Sequence, residues 1–206
     1  MKAIILAAGE GKRLKPLTDN IPKTLIEING ETILERSINT LKECGIKNVI
    51  VVAGYLSEKV ENVIKKHSNV EMVYNEYYNT TDNMYSVMLC EDKCIDEPVL
   101  IMNGDLIVSK SIIQKSLDVK HSNIPIDTNP NLKDGQKVIV KDKRLVGIGK
   151  KLDVADGTAI NIIVLSKKDA GVYFDNINRI IHHEKRPNDW WEVALNESLN
   201  KINIEP

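Results

Sequence analysis

Met1-Lys-Ala-Ile-Ile-Leu6-Ala7-Ala8-Gly9-Glu-Gly11-Lys-Arg13-Leu-Lys-Pro16-Leu-Thr18-Asp-Asn-Ile-Pro22-Lys23-Thr-Leu25 opens the chain, and its reading decides the fold. The apolar run Ala3–Ala8 has the character of a buried parallel strand. It breaks abruptly into a loop holding Gly9, Gly11 and Arg13, followed by the Pro22-Lys23 pair. Glycines let main-chain N–H groups close on an anion, and Arg and Lys neutralise phosphate charge. The order strand, glycine loop, basic residues therefore points to nucleoside triphosphate chemistry.

Two familiar phosphate loops are excluded. G-x-x-x-x-G-K-[ST] is absent, because Gly9 and Gly11 are followed by Lys12-Arg13-Leu14. The dinucleotide fingerprint fails as well: its third glycine would fall at Leu14, and Pro16 disfavours a helix starting inside the loop. A surface turn with incidental basic residues is the plain alternative. Against it stands the joint spacing G-x-G-x-R-x-x-P-x-T-x-x-x-P-K.

Outward from this loop, strands and helices alternate through the first half, the pattern of a parallel sheet covered on both faces. Lys2–Ala7, Asn48–Ala53, Val70–Tyr74 and Pro98–Met102 read as strands. Thr32 with Glu35 forms a capping box for a helix with the apolar stripe Ile33, Leu34, Ile38 and Leu41, stopped by Gly45. Ser57 is expected to cap a helix with Val60, Val63 and Ile64 inward, and Asn83–Cys90 reads as another. The second half predicts a helix at Ser109–Lys120 and a hairpin of Lys137–Val140 and Arg144–Gly149 about Asp142-Lys143. It continues with a strand at Ala159–Leu165, a helix capped by Ser166 and Asp169, a helix over Asn188–Leu199, and a strand starting at Ile202–Ile204. The expected fold is one α/β domain over 1–206. Its Rossmann-like, mostly parallel sheet carries helices on both faces and a small β-hairpin excursion near 123–150.

Composition narrows the function. The charges nearly cancel, 28 basic against 29 acidic, so the chain lacks the electrostatic footprint of a nucleic-acid or anionic-membrane partner. No apolar run is long enough for a membrane span, and the N-terminus reads as a strand rather than a signal peptide. Three cysteines, an odd count, fit a reducing, cytoplasmic setting. Cys90 and Cys94 share a helix face without a second pair at zinc spacing, so they read as buried thiols. His182-His183 read as solvated at a helix end. Nothing fixes the oligomeric state, and a homodimer stays open.

Ligands of open α/β sheets bind beyond the carboxyl ends of the strands, where the loops 8–23, 53–56, 75–86 and 103–108 should meet. Gly9, Gly11, Arg13 and Lys23 then form the phosphate site, while Lys12 and Lys15 face solvent. Asp105 follows the strand Val99–Met102 and projects a carboxylate toward the triphosphate, where Mg²⁺ would take one or two carboxylates with phosphate oxygens. As structural alternatives, Asp105 is a helix cap and the basic residues are solvated charges.

These motifs resemble the signature of nucleotidyltransferases that activate sugar 1-phosphates and phosphocholine. The likeness rests on Gly9, Gly11, Arg13, Pro16, Thr18, Pro22 and Lys23, on Val51-Val-Ala-Gly54-Tyr55, and on Asn103-Gly-Asp105. It implies attack of a substrate phosphate on the α-phosphorus of an NTP with release of pyrophosphate. It also implies that Leu6, Ala7, Ala8 and Gly9 lie against base and ribose, and it counts Gly54 among the nucleotide-binding residues. Arg13 would lie near the β- and γ-phosphates and Lys23 nearer the reacting ones. Asn83 and Ser86 match the Asn-x-x-Ser helix start of phosphocholine and aminoethylphosphonate cytidylyltransferases, where Asn83 suits a base edge and Asp82 with Asn83 suits a cap equally well. Relatives carry a second acidic metal ligand on a late strand. Three readings stay open here: the chain stops short of that strand, Glu192 or Asp189 substitutes for it, or part of the catalytic equipment is lost.

Asp189-Trp190-Trp191-Glu192 supplies the acceptor side. Adjacent helical residues point about 100° apart, so at most one indole buries fully. The other, with Tyr77, Tyr78 or Tyr85, could build an aromatic wall that attracts an ammonium group. Both indoles packing structurally is the alternative. The leading expectation is CMP transfer from CTP to a small phosphorylated amino alcohol or phosphonate. Sugar- or polyol-phosphate nucleotidyl transfer with UTP, dTTP or CTP is the second, and a non-catalytic nucleotide-binding module the third.

Overall fold

The structure, a computed structural model, describes residues 1–129 and 135–206. The chain begins with β1 (Lys2–Ala7), the short ribbon β2 (Glu27–Ile28) and β3 (Glu31–Thr32), then α1 (Ile33–Glu43), β4 (Asn48–Ala53) and α2 (Ser57–Ile64). Next come β5 (Val70–Tyr74), α3 (Asn83–Met88), α4 (Glu91–Cys94), β6 (Val99–Asn103) and α5 (Lys110–Asp118). The second half holds β7 (Ile126–Asp127), β8 (Gln136–Lys141), β9 (Arg144–Gly149), β10 (Gly157–Ala159) and β11 (Ile162–Leu165). It ends with α6 (Lys167–Asn178) and α7 (Trp191–Ser198).

The main sheet is ordered β11-β6-β1-β4-β5, with only β11 antiparallel to its neighbour. Alternation along the strands explains the layers. Ile4, Ile50, Val52 and Ile101 join one core with Met84, Phe174, Ile177 and Trp191 of α3, α6 and α7. Ala3, Ile5, Val51 and Met102 join the other with Leu34, Ile38, Val60 and Ile113 of α1, α2 and α5. The inner strands β1, β4 and β6 are apolar on both faces because both faces are covered. The expected mixed α/β fold is therefore the observed one.

Local signals hold at several ends. Thr32 and Glu35 form the reciprocal capping box, and Gly45 follows α1 at φ +88°. Ser166 accepts the Asp169 N–H at the start of α6. Asp142 and Lys143 both take positive φ, as the tight β8–β9 turn requires. His182 and His183 are exposed at the helical end, and burial pushes both inner thiols up, Cys94 to about 11.

Other expectations are corrected. Ser57 does not cap α2: Leu56 takes the N-cap position in the left-handed region and Ser57 is already helical. The strand expected at Ala159–Leu165 is split, because Asn161 at φ 58° breaks the pleat between β10 and β11. The excursion is larger than a hairpin, a four-stranded antiparallel sheet ordered β7-β10-β8-β9. Its expected span near 123–150 includes 130–134, which lie outside the described residues. Ile202–Ile204 forms no strand; Glu205 makes one isolated bridge to Asn123. The last helix starts later than Asn188, where Trp191 donates its N–H to Asn83 Oδ1 at 2.9 Å.

Candidate active site

Connections leave β1 toward β4 on one side, whereas β6 lies on the other, so the sheet's switch point falls beside the carboxyl end of β1. The loop 8–23 stands there, and its shape is fixed by its neighbours. Gly11 sits at φ +66°, with Thr18 and Lys23 packed where a side chain would go. Thr18, fully buried, donates its hydroxyl to the Gly11 carbonyl at 3.0 Å. Tyr55 donates to the carbonyls of Thr18 and Asp19 at 3.0 and 2.7 Å, and its own N–H reaches the Ala8 carbonyl. Gly9 is exposed with open space around its α-carbon. A stapled loop with one unobstructed glycine is what close main-chain approach to an anion needs.

From the other side, Gly104 donates its N–H to the Leu6 carbonyl at 2.8 Å, and a β-carbon there would sit 2.7 Å from the same oxygen. This contact carries Asp105 to the loop. Asp105 ion-pairs with Lys23 across the switch point, both side chains about one third exposed. Arg13 is exposed and makes no ion pair with the described residues, leaving its guanidinium available to a ligand. Lys12 and Lys15 face solvent, paired with Glu10 and Asp19.

A second cluster forms where α3 and α7 begin. Asp82 accepts the Asn83 N–H with one oxygen and the Trp190 indole N–H at 3.0 Å with the other. Trp191 is fully buried, its indole N–H on Asn103 Oδ1 and its carbonyl accepting the Tyr173 hydroxyl at 3.0 Å. Trp190 stays 36% exposed, and the Lys150 ammonium lies 3.9 Å from its ring centroid. One indole buries and one does not: Trp191 opens α7, while Trp190 is its N-cap in extended conformation. Tyr77 and Tyr85 pair edge-to-face with each other, so among the described residues the recorded partners of Trp190 are Asp82 and Lys150 instead.

Glu192 is 3% exposed, and its Oε2 has no hydrogen-bond partner among the described residues. Burial pushes its carboxyl up from 4.5 to about 7; the charge of Asp82 adds to this, against hydrogen bonding and Lys150. Between pH 4.5 and about 7 the folded chain holds a proton that the unfolded chain has released, so stability falls as pH rises through that window. Relative to Glu192→Gln, the wild type should lose up to about 3 kcal/mol between about pH 5 and about pH 8, read from urea midpoints. Parallel pH profiles for the two proteins would show that Glu192 titrates as an ordinary carboxylate.

The sequence-derived site residues thus separate into two groups. Leu6, Ala7, Ala8, Gly9, Gly11, Arg13, Lys23 and Asp105 gather at the switch point. Gly54 is there for close packing: a β-carbon would sit 2.5 Å from that of Tyr78 and 2.9 Å from the Ala8 carbonyl. Ser86 is buried and accepts the Asn75 amide at 3.0 Å, so it holds the loop after β5 rather than facing a ligand. Asn83 spends its acceptor on Trp191 and keeps its amide donor. Trp191 is core, and Glu192 belongs with Asp82, Lys150 and Gln136. No group of three or more His, Cys, Asp and Glu that could hold a metal occurs among the described residues. Sequence reasoning missed Tyr55 and Asn75 as loop clamps and Lys150 altogether; only the Gly54-Tyr55 pair after a strand signalled the first.

Comparison with known proteins shows the family and the fold. Residues 3–126 match the MobA-like NTP transferase domain. The chain belongs to this family. It is 30% identical over 210 residues to the choline-phosphate cytidylyltransferase of Haemophilus influenzae, covering 99% of this chain and 86% of that protein. The choline-phosphate cytidylyltransferase of Streptococcus pneumoniae is 38% identical over 117 residues, 57% of this chain and 50% of the relative, so that match spans about half its length. A solved structure of the CTP:phosphocholine cytidylyltransferase from S. pneumoniae superposes with a TM-score of 0.85 at 24% identity, covering 99% of this chain and 87% of that one. The family match takes in the switch-point residues and ends before Lys150 and the Trp190–Glu192 cluster. No helix among the described residues is long and apolar enough to cross a membrane.

Proposed function

We propose that this chain transfers CMP from CTP to a small phosphorylated acceptor with a cationic end, releasing pyrophosphate. An acceptor phosphate oxygen bonds to the α-phosphorus, and the bond from that phosphorus to the bridging α–β oxygen breaks. Gly9 and Gly11 admit the triphosphate, Arg13 and Lys23 balance charge that grows on the leaving phosphates, and the Asn83 amide donor faces a base edge. Asp105 fits Mg²⁺ as a partly exposed carboxylate whose present partner, the Lys23 ammonium, is itself a cation. A bound Mg²⁺ would neutralise phosphate charge there. Retention of this ion pair at the switch point speaks against a module that only binds nucleotide.

The observation that carries the acceptor class is the cation already seated on Trp190. Lys150 occupies the indole face with Asp82 behind it, so the site has the electrostatics to hold an ammonium group. The printed names of the cytidylyltransferase relatives, which include choline-phosphate and 2-aminoethylphosphonate enzymes, support the same reading. The test is pyrophosphate release from each of CTP, UTP, ATP and dTTP against phosphocholine, aminoethyl phosphate, aminoethylphosphonate and glucose 1-phosphate. CTP with an ammonium-bearing acceptor is expected to be fastest, and equal or better turnover of glucose 1-phosphate overturns the assignment. Trp190→Leu should raise KM for the ammonium acceptor about two- to thirtyfold, matching about 0.5–2 kcal/mol of cation–π energy, with KM for CTP nearly unchanged. An unchanged acceptor KM would remove Trp190 from the site.

A further inference from the structure

Glu192 is the only charged residue that is buried among the described residues, and it keeps one oxygen without a donor. Gln136 of β8 hydrogen-bonds to its carboxyl, while Asp82 and Lys150 are near enough to act on its charge. Two residues earlier, Trp190 holds the Lys150 ammonium at 3.9 Å and fixes its ring through Asp82. Aromatic face, two carboxylates and a cation therefore converge on one place, and the cation now there is a primary ammonium. A buried acceptor is normally satisfied, and one that is not calls for a donor from elsewhere.

This distinguishes two kinds of cationic acceptor. A trimethylammonium group gains the ring quadrupole but carries no N–H. A primary ammonium gains the ring and can also donate to Glu192 Oε2. Lys150, exposed on the segment after β9, can leave the ring for solvent when the acceptor arrives. We propose that Glu192 selects the acceptor, so that the chain prefers a primary or secondary ammonium on a phosphate or phosphonate over the N-trimethyl analogue. The proposal rests on the cytidylyl-transfer reading above and adds which nitrogen is taken.

The experiment is a methylation series: aminoethyl phosphate and its N-methyl, N,N-dimethyl and N,N,N-trimethyl forms, each with CTP and Mg²⁺, scored as kcat/KM from pyrophosphate release. The wild type should decline along the series, by tenfold or more from first to last. Glu192→Gln should compress that ratio to threefold or less. A flat or rising series in the wild type overturns the proposal without any variant. So does a Gln variant that keeps the wild-type ratio. Failure of the whole series while glucose 1-phosphate reacts overturns the acceptor class and this proposal together. A series that reacts without discrimination overturns this proposal alone.

Discussion

Asp105→Asn is expected to lower turnover by about a thousandfold, equivalent to about 4 kcal/mol of transition-state stabilisation, in protein that folds normally. The substitution keeps shape and removes charge. Asp105 stands at the carboxyl end of β6, brought against the phosphate loop by the Gly104–Leu6 hydrogen bond, and its carboxylate is the anion that Lys23 now partners. The ion pair is partly exposed, and such pairs contribute about 0–1 kcal/mol to folding. Stability should therefore change little while chemistry fails, and that separation makes the test informative. Steady-state pyrophosphate release would be measured beside a urea titration, with chelator added to the wild type as a parallel arm. Activity of the Asn variant within tenfold of wild type, or full wild-type activity in excess chelator, would refute the metal role of Asp105.

How far the sequence reached depended on how local each cause was. β1, β4 and β6 were legible because a strand buried on both faces must be apolar nearly throughout, and α1 because Thr32 and Glu35 act within one turn. The phosphate loop was legible for the same reason: glycine, Arg13 and Lys23 have few other uses at that spacing. The pairing of β7 with β10 and of β8 with β9 and β10 was only half visible, since the hairpin turn is local and the other pairings are not. Periodicity allowed at most one of the two adjacent indoles to bury fully, yet choosing Trp191 needed Asn83, Asn103 and Tyr173 from three other elements. Glu192 read as one candidate for a second metal ligand, and nothing in the local sequence marked it as buried. Burial sets it against Gln136 and within reach of the Asp82 and Lys150 charges, distant partners that no local pattern announces.

Lys23→Ala and Arg13→Ala should each reduce kcat/KM about a hundredfold, in line with about 3 kcal/mol for one charge-stabilising group in such a site. The two are expected to divide that loss differently. Arg13 is exposed, has no ion pair among the described residues and lies on the stapled loop, so it can grip phosphates in ground and transition states alike. Its loss should appear chiefly as a raised KM for CTP. Lys23 shares Asp105 with the crevice itself, and charge development on the reacting phosphates is what would draw its ammonium across. Its loss should appear chiefly in kcat. Neither substitution touches the hydrogen bonds of Thr18 and Tyr55 that shape the loop, so thermal unfolding should move little. Initial rates over a CTP titration at saturating acceptor would give both constants. Near-wild-type activity in either variant would take that residue out of the phosphate site. A fall in KM with unchanged kcat for Lys23→Ala would mean that the ion pair with Asp105 obstructs nucleotide entry instead of serving the reaction.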